Sequence, residues 1–247
     1  MLANGYAPDF TEKCFRQIEG FSDYGFPESH AASFALLSYI SSWLKCYYPD
    51  VFACALLNAQ PMGFYSASSI VRDFRDHSGR VLPVDINASQ WDHTLEPGAH
   101  SSQRALRLGF RQIKGFRKED ARRLEAARAK GFDGIRDLYF RTGLATRSLE
   151  LLARADTFRS LGLDRRDALW AVQGLGGGGS PEDLPLYANT KTKPQREPEM
   201  ALPAMPLGEH VLEDYATLKL SLKAHPVSFA RARLRAERFV CAADLAG

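Results

Sequence analysis

One stretch constrains this chain more than any other: RQIKGFRKEDARRLEAAR, residues 111–128. Ile113, Lys114, Gly115 and Phe116 predict a tight turn between a short helix and a longer one starting near Lys118. Gly115 can take a positive φ and lets another backbone come close. The amides from Gly115 to Lys118 are then expected to be unpaired donors at a helix start, where the helix dipole also favours an anion. Apolar Ile113, Phe116, Ala121, Leu124 and Ala127 pack the two helices together. Lys114, Arg117, Lys118, Arg122 and Arg123 stay outside, where they can neutralise neighbouring phosphates.

A weaker echo follows in SLGLDRRDALW, residues 160–170, with Gly162, an N-cap candidate in Asp164, and the pair Arg165 and Arg166. Charge supports reading the two together as one tandem helix-turn-helix module. Residues 1–103 hold 6 Lys+Arg against 11 Asp+Glu, residues 104–169 hold 17 against 9, and residues 170–247 hold 9 against 9. A net charge of +3 therefore conceals a concentrated basic block, the footprint of a polyanion partner. A solvated helix face accounts for any one of these cations alone. The glycine turn, the amide cluster and the local surplus together point to a nucleic acid. The candidate DNA-binding residues are Lys114, Gly115, Phe116, Arg117, Lys118, Arg122, Gly162, Arg165 and Arg166.

Around this block the chain reads as mainly α with minor short strands. Residues 1–87 form a helical segment. Thr11 is expected to cap a helix that Gly20 ends, and Phe34, Leu37, Ile40 and Leu44 recur at helical spacing. Pro49 opens a further helix to Asn58, and Ser66 or Ser68 caps one running to about His77. Arg80 to Asn87, with Val81, Leu82, Val84 and Ile86 around Pro83, reads as a short extended segment at an edge. Residues 88–103 read as a polar connecting loop, and Ala105 to Phe110 as a second strand leading into the module at 104–173. Residues 174–208, rich in Gly, Pro and charge, read as a flexible linker. A small helical connector, 209–247, is either docked on the rest or the start of a further domain.

Cys14, Cys46, Cys54 and Cys241 lack the spacing of a zinc site. Cys46 and Cys54 are expected to be small buried apolar residues, as in a reducing cytosol. The N-terminus has no secretion signal, and Ala31 to Leu44 is too short and polar to span a bilayer. The expected compartment is the cytoplasm, with no membrane partner.

The segment YGFPESHAASFALLSYISSWLKCYYPDVFACALLNAQPMGFYSASSIVRD, residues 24–73, strongly resembles the fingers region of bacterial family C DNA polymerases, relatives of the DNA polymerase III alpha subunit. Its PESHAASFALL and NAQPMGFYS runs resemble the error-prone, damage-inducible branch. The replicative branch usually has Asn-Lys where this chain has Pro27 and Glu28. The basic block resembles that family's tandem helix-hairpin-helix domain, although Arg117 stands where a second glycine is common. DYATLKLSLKAHPVSFAR, residues 214–231, resembles the connector before the family's OB-fold domain.

The resemblance implies part of a DNA-directed DNA polymerase acting in damage-induced translesion synthesis and DNA repair. Template-primer DNA, the incoming nucleotide and other lesion-bypass proteins are its implied partners. It places Arg16, Ser29 and His30 near the nucleotide triphosphate; in the alternative, Ser29 caps a helix and His30 is a buried hydrogen-bonded residue. The family's catalytic carboxylates lie on a palm domain upstream of the fingers. This chain is accordingly expected to carry no catalytic or metal-binding residues, to need no cofactor of its own, and to be inactive alone, Mg2+ serving the full-length enzyme. A stand-alone, non-enzymatic DNA-binding or partner-binding module that regulates a full-length polymerase is the alternative.

Overall fold

A computed structural model describes residues 1–23, 28–98, 104–176, 202–241 and 244. Among these residues the regular structure is ten α-helices, three short 3-10 turns and one three-stranded sheet, so the fold is mainly α. The chain divides into two compact units, Met1–Tyr48 and Pro49–Gly247.

The first unit consists of α1 (Pro8–Asp23) and α2 (Glu28–Tyr47), preceded by a 3-10 turn. Pro8 opens α1, a position where its missing N–H costs nothing. Thr11, expected as a cap, lies inside that first turn, and its hydroxyl donates to the Ala7 carbonyl at 3.1 Å. Gly20 does not end the helix. It is helical and has no positive φ, and a lone interior glycine costs only about 1 kcal/mol against alanine. On α2 the helical spacing is as expected, but Phe34, Leu37 and Ile40 are exposed. Trp43 packs against Tyr47 and Tyr48, with ring centroids 5.1 and 5.5 Å apart. Cys46, expected to be buried, is exposed.

The second unit begins with α3 (Pro49–Asn58), opened by its proline, and α4 (Ala67–Asp76). The Ser66 hydroxyl caps α4 by accepting from the Ser69 amide at 3.2 Å. Strands β1 (Val81–Leu82), β2 (Thr94–Glu96) and β3 (Ala105–Arg107) form a sheet in the order β1-β3-β2. β1 runs parallel to β3 with Val81 opposite Leu106; β2 runs antiparallel to it with Leu95 opposite Leu106. β1 has the edge place that Pro83 requires. β2 corrects the reading of 88–103 as loop throughout. It is a three-residue strand whose ladder partner is its only strand signal, and Glu96 ties it to Arg107 on β3 through bonds of 2.7 and 3.0 Å.

Helices α5 (Lys118–Arg128), α6 (Ile135–Thr142), α7 (Thr146–Arg154) and α8 (Arg165–Gly176) follow. Leu57, Phe74, Ile86, Leu106, Phe110, Leu124, Leu149 and Leu152 belong to one continuous buried cluster. Residues 49–87 thus share their core with the basic block. Burial of each such side chain is worth about 1.5–3 kcal/mol.

Of the expected linker 174–208, residues 177–201 lie outside the described residues. Its two flanks are helical, since α8 reaches Gly176 and α9 (Leu207–Leu218) starts at Leu207. α9 packs against α7 and sends Leu218 into the common core, so the connector is docked. α10 (Pro226–Ala236) packs on α9 and buries no residue.

Candidate nucleic-acid interface

The glycine turn of the basic block forms as expected. A 3-10 turn, Phe110–Gln112, leads through Ile113 and Lys114 to Gly115, which has φ 81°. Only Leu151 Cδ1, at 4.0 Å, lies near the place a Cβ would take. The glycine therefore serves backbone conformation and keeps the turn open. Arg117 occupies the N-cap position of α5 in extended conformation and supplies no side-chain cap. Among the described residues, the amides of Gly115, Arg117 and Lys118 have no acceptor.

Phe116 packs as expected, but its amide differs from expectation. Its amide donates to the Ile113 carbonyl at 3.2 Å, and its ring is buried 5.7 Å from that of Phe110. It packs the hairpin and offers neither ring nor amide to a ligand. Ile113, Ala121 and Leu124 are buried beside it.

The fold then sorts the cations of the block by what they already hold. Arg107 pairs with Glu96, and Arg111 pairs with Asp92 at 2.7 Å while donating to the Asn58 and Gln60 carbonyls. Arg128 donates to the Ile86 and Ser89 carbonyls, and Arg141 pairs with Asp137 at 2.9 Å. Lys114, Arg117, Lys118, Arg122 and Arg123 are exposed, and their side chains make no hydrogen bond or ion pair among the described residues. All five lie on the Gly115 turn and the first two turns of α5. Glu119 and Asp120 share that first turn, but Asp120 accepts from the Ser148 hydroxyl of α7 at 2.7 Å and is turned into the module.

The second turn is built differently. Gly162 has φ 74°, yet the start of α8 is closed by its own carboxylates. Asp164 accepts from the Asp167 amide at 3.0 Å, and Asp167 accepts from the Asp164 amide at 3.4 Å, a reciprocal cap. Burial pushes the Asp164 carboxyl upward, but the Asp167 and Arg166 amides outweigh it and hold its pKa below the ordinary value. A negative charge thus already occupies the place a phosphate needs.

Arg165, a candidate DNA contact, is fully buried. Its guanidinium is bonded to Asp214 of α9, and it also donates to the His210 carbonyl at 2.9 Å and meets His210 Nδ1 at 3.1 Å. Burial, together with the Arg165 charge, lowers the His210 pKa, which keeps the ring neutral and able to accept. Lys223 at 3.1 Å and the Ser221 hydroxyl at 2.8 Å complete the shell of Asp214. Arg166 pairs with Glu209 at 2.7 Å and donates to the Pro203 carbonyl at 2.9 Å. The second turn therefore fastens α8 to the segment at 203–223, whereas the amides of the first turn stay open.

In the first unit, Arg16 pairs with Glu12 at 2.8 Å on the exposed surface of α1. His30 is exposed with its ring centroid 4.4 Å from that of Phe34, so it is no buried hydrogen-bonded group. The side chain of Ser29 lies outside the described residues. Among the described residues no three His, Cys, Asp or Glu side chains converge on a possible metal position. Among them, too, no helix is long and apolar enough to cross a membrane.

Sequence reasoning missed Lys219. It ends α9 at φ 60° with its side chain exposed, beside the hairpin. Lys114 N–H donates to the Thr217 carbonyl at 2.8 Å, and Gln112 Nε2 to the Leu218 carbonyl at 2.6 Å across 106 positions. No local pattern announces a neighbour so distant in sequence.

A helix-hairpin-helix motif family matches residues 79–168, which contain both turns and the sheet before them. Over almost the whole chain the likeness extends further. The chain is 54% identical to the error-prone DNA polymerase of Sinorhizobium medicae over 94% of its length. It is 53% identical to error-prone DNA polymerase 1 of Rhizobium meliloti over 100% of its length. The chain is thus similar to a segment of the error-prone DNA polymerases. The corresponding polymerase of Mesorhizobium japonicum is 52% identical over 95% of the chain. The chain spans 22 to 24% of the length of these polymerases. The match runs through both units, so the error-prone polymerases contain the α1–α2 segment and the hairpin module in the same order.

Proposed function

We propose that this chain is a DNA-holding portion of an error-prone polymerase, and that it grips the sugar-phosphate backbone through the Gly115 turn without reading sequence. The observation that carries this reading is the cluster of five exposed, uncommitted cations around a helix start whose amides lack a cap. One phosphate sits on the Gly115 and Lys118 amides, and flanking phosphates meet Lys114, Arg117 and Arg122. Such a grip serves any sequence alike. In the whole polymerase it steadies template-primer DNA during damage-induced lesion bypass in the cytoplasm, alongside other lesion-bypass proteins. Arg16, Ser29 and His30 face the incoming nucleotide there. Mg2+ serves phosphoryl transfer in the whole polymerase.

The test is duplex binding by the full chain, followed by fluorescence anisotropy from about 50 to 200 mM salt. Affinity is expected to fall steeply with salt. Lys114→Glu with Arg117→Glu is expected to weaken binding to unrelated sequences equally. Salt-insensitive binding, or a double variant that binds as well as the original, overturns the reading.

A further inference from the structure

Beside the Gly115 turn the second unit carries a cavity of about 610 Å³. Its lining combines aromatic rings with cations. Phe64 and Tyr65, on the loop between α3 and α4, line it together with Arg111, Gln112, Lys114 and Lys219. Phe64 is 98% exposed and Tyr65 is 64% exposed, an expensive display for two adjacent rings in a unit that buries Phe74, Phe110, Phe116 and Phe158.

The loop that carries them is not slack. Gln60 spans it, donating from Nε2 to the Tyr65 carbonyl at 2.8 Å and accepting from the Met62 amide at 2.9 Å. Arg111, from the hairpin itself, donates to the Gln60 carbonyl at 3.0 Å and to the Asn58 carbonyl at 2.8 Å. Ser66 closes the loop by capping α4. The loop backbone is thus fastened to the hairpin segment that leads into the turn we read as the phosphate site, and the two rings it carries are exposed.

We propose that this cavity takes unpaired nucleotides. One or two bases stack on Phe64 and Tyr65 while Lys114 and Lys219 meet the intervening phosphates. Stacking on a ring tolerates every base, and combining a cationic track with exposed aromatics is how single strands are held without sequence preference. Arg111 is the positioning residue, since its donors are spent on the loop and on Asp92. The hairpin grips the duplex, and the aromatic loop takes the strand where pairing ends. This rests on the DNA-binding reading above, but it assigns a different polymer form to Phe64, Tyr65 and Lys219, with Lys114 shared by both.

The experiment uses the full chain with three probes of matched length: a blunt duplex, the same duplex with a single-stranded extension, and the single strand alone. Phe64→Ala with Tyr65→Ala is expected to lose about ten-fold or more in affinity for the single strand and for the extended duplex, the scale of one to two base stacks. Binding to the blunt duplex is expected to be unchanged. A Phe64→Trp variant supplies an indole reporter whose fluorescence is expected to be quenched by the single strand and not by the blunt duplex. If the double alanine variant binds all three probes as the original does, or if the indole of the Phe64→Trp variant is indifferent to the single strand, the proposal fails while duplex binding through Lys114 and Arg117 stands. If no probe binds at all, the DNA-binding reading fails with it.

Discussion

Arg165 provides the sharpest separation between holding DNA and holding the fold together. It lies in a turn with the sequence character of a phosphate site, yet its guanidinium is fully buried against Asp214. Removing Asp214 strands that cation. The cost of a buried charge left without its partner is about 3–5 kcal/mol, and for a unit of this size each kcal/mol moves the melting temperature by about 2–4 °C. Asp214→Ala is therefore expected to lower the melting temperature by roughly 6–20 °C. Arg165→Met should cost less, about 2 kcal/mol, because Asp214 keeps Lys223 at 3.1 Å and the Ser221 hydroxyl at 2.8 Å. Combining Arg165→Met with Asp214→Leu is expected to recover stability relative to Asp214→Ala, since an apolar pair can replace a buried ion pair; Lys223 then keeps Asp156, also at 3.1 Å. The assay is thermal unfolding followed by circular dichroism, with duplex affinity measured at a temperature where every variant is folded. Affinity should not change. An Arg165→Met protein that is as stable as the original but binds DNA as poorly as a Lys114→Glu variant would refute the reasoning, because Arg165 would then be spending its charge on phosphate.

Three further outcomes follow from the same geometry. His93 is buried and accepts from the Gly109 amide at 3.1 Å; burial, then the Arg111 charge, against the opposing pull of Asp92, brings its pKa from 6.5 down to about 4. The unfolded chain takes up that proton more readily, so the stability this ring contributes is complete above about pH 6.5 and falls by about 3 kcal/mol as the pH drops toward 4; in urea titrations across that range, His93→Asn is expected to flatten the slope. Gly115→Ala is expected to cost about 1 kcal/mol from its positive φ alone, whereas Gly109→Ala drives a Cβ into the backbone of Trp91 and Asp92 and should cost about 3 kcal/mol, an order that denaturant unfolding checks. Cys46 is exposed, while Cys54 is buried with its thiol pKa raised by burial and by Asp50 and Asp92; a thiol-reactive dye followed by peptide mapping should label Cys46 in the native protein and Cys54 only after unfolding.

What can be read from the chain is local. Pro49 and Ser66 mark helix starts because a missing N–H or a spare hydroxyl acts within one turn. The Gly115 turn is legible because its positive φ, its buried Ile113 and Leu124, and its outward cations lie within a dozen residues of each other. Features that depend on remote partners are not legible. β2 exists because β3 pairs with it. Arg165 and Arg166 look like a second cationic patch until Asp214 and Glu209 arrive from α9. Phe116 is legible as packing, but its amide has an acceptor three residues back that spacing alone does not assign. Gly20 shows the limit of punctuation by residue type, since one glycine does not stop a helix that its neighbours favour.

The bond from Lys114 N–H to the Thr217 carbonyl has a consequence for how the protein is made. A ribosome releases the hairpin long before it releases α9, and bringing together ends so far apart carries a loop-closure cost that local contacts do not. Residues 79–168 can collapse early, but Lys219 reaches the side of the Gly115 turn only when α9 docks and Asp214 meets Arg165. A nascent chain stalled before α9 therefore carries the Gly115 turn and its cations without Lys219 or the Thr217 bond.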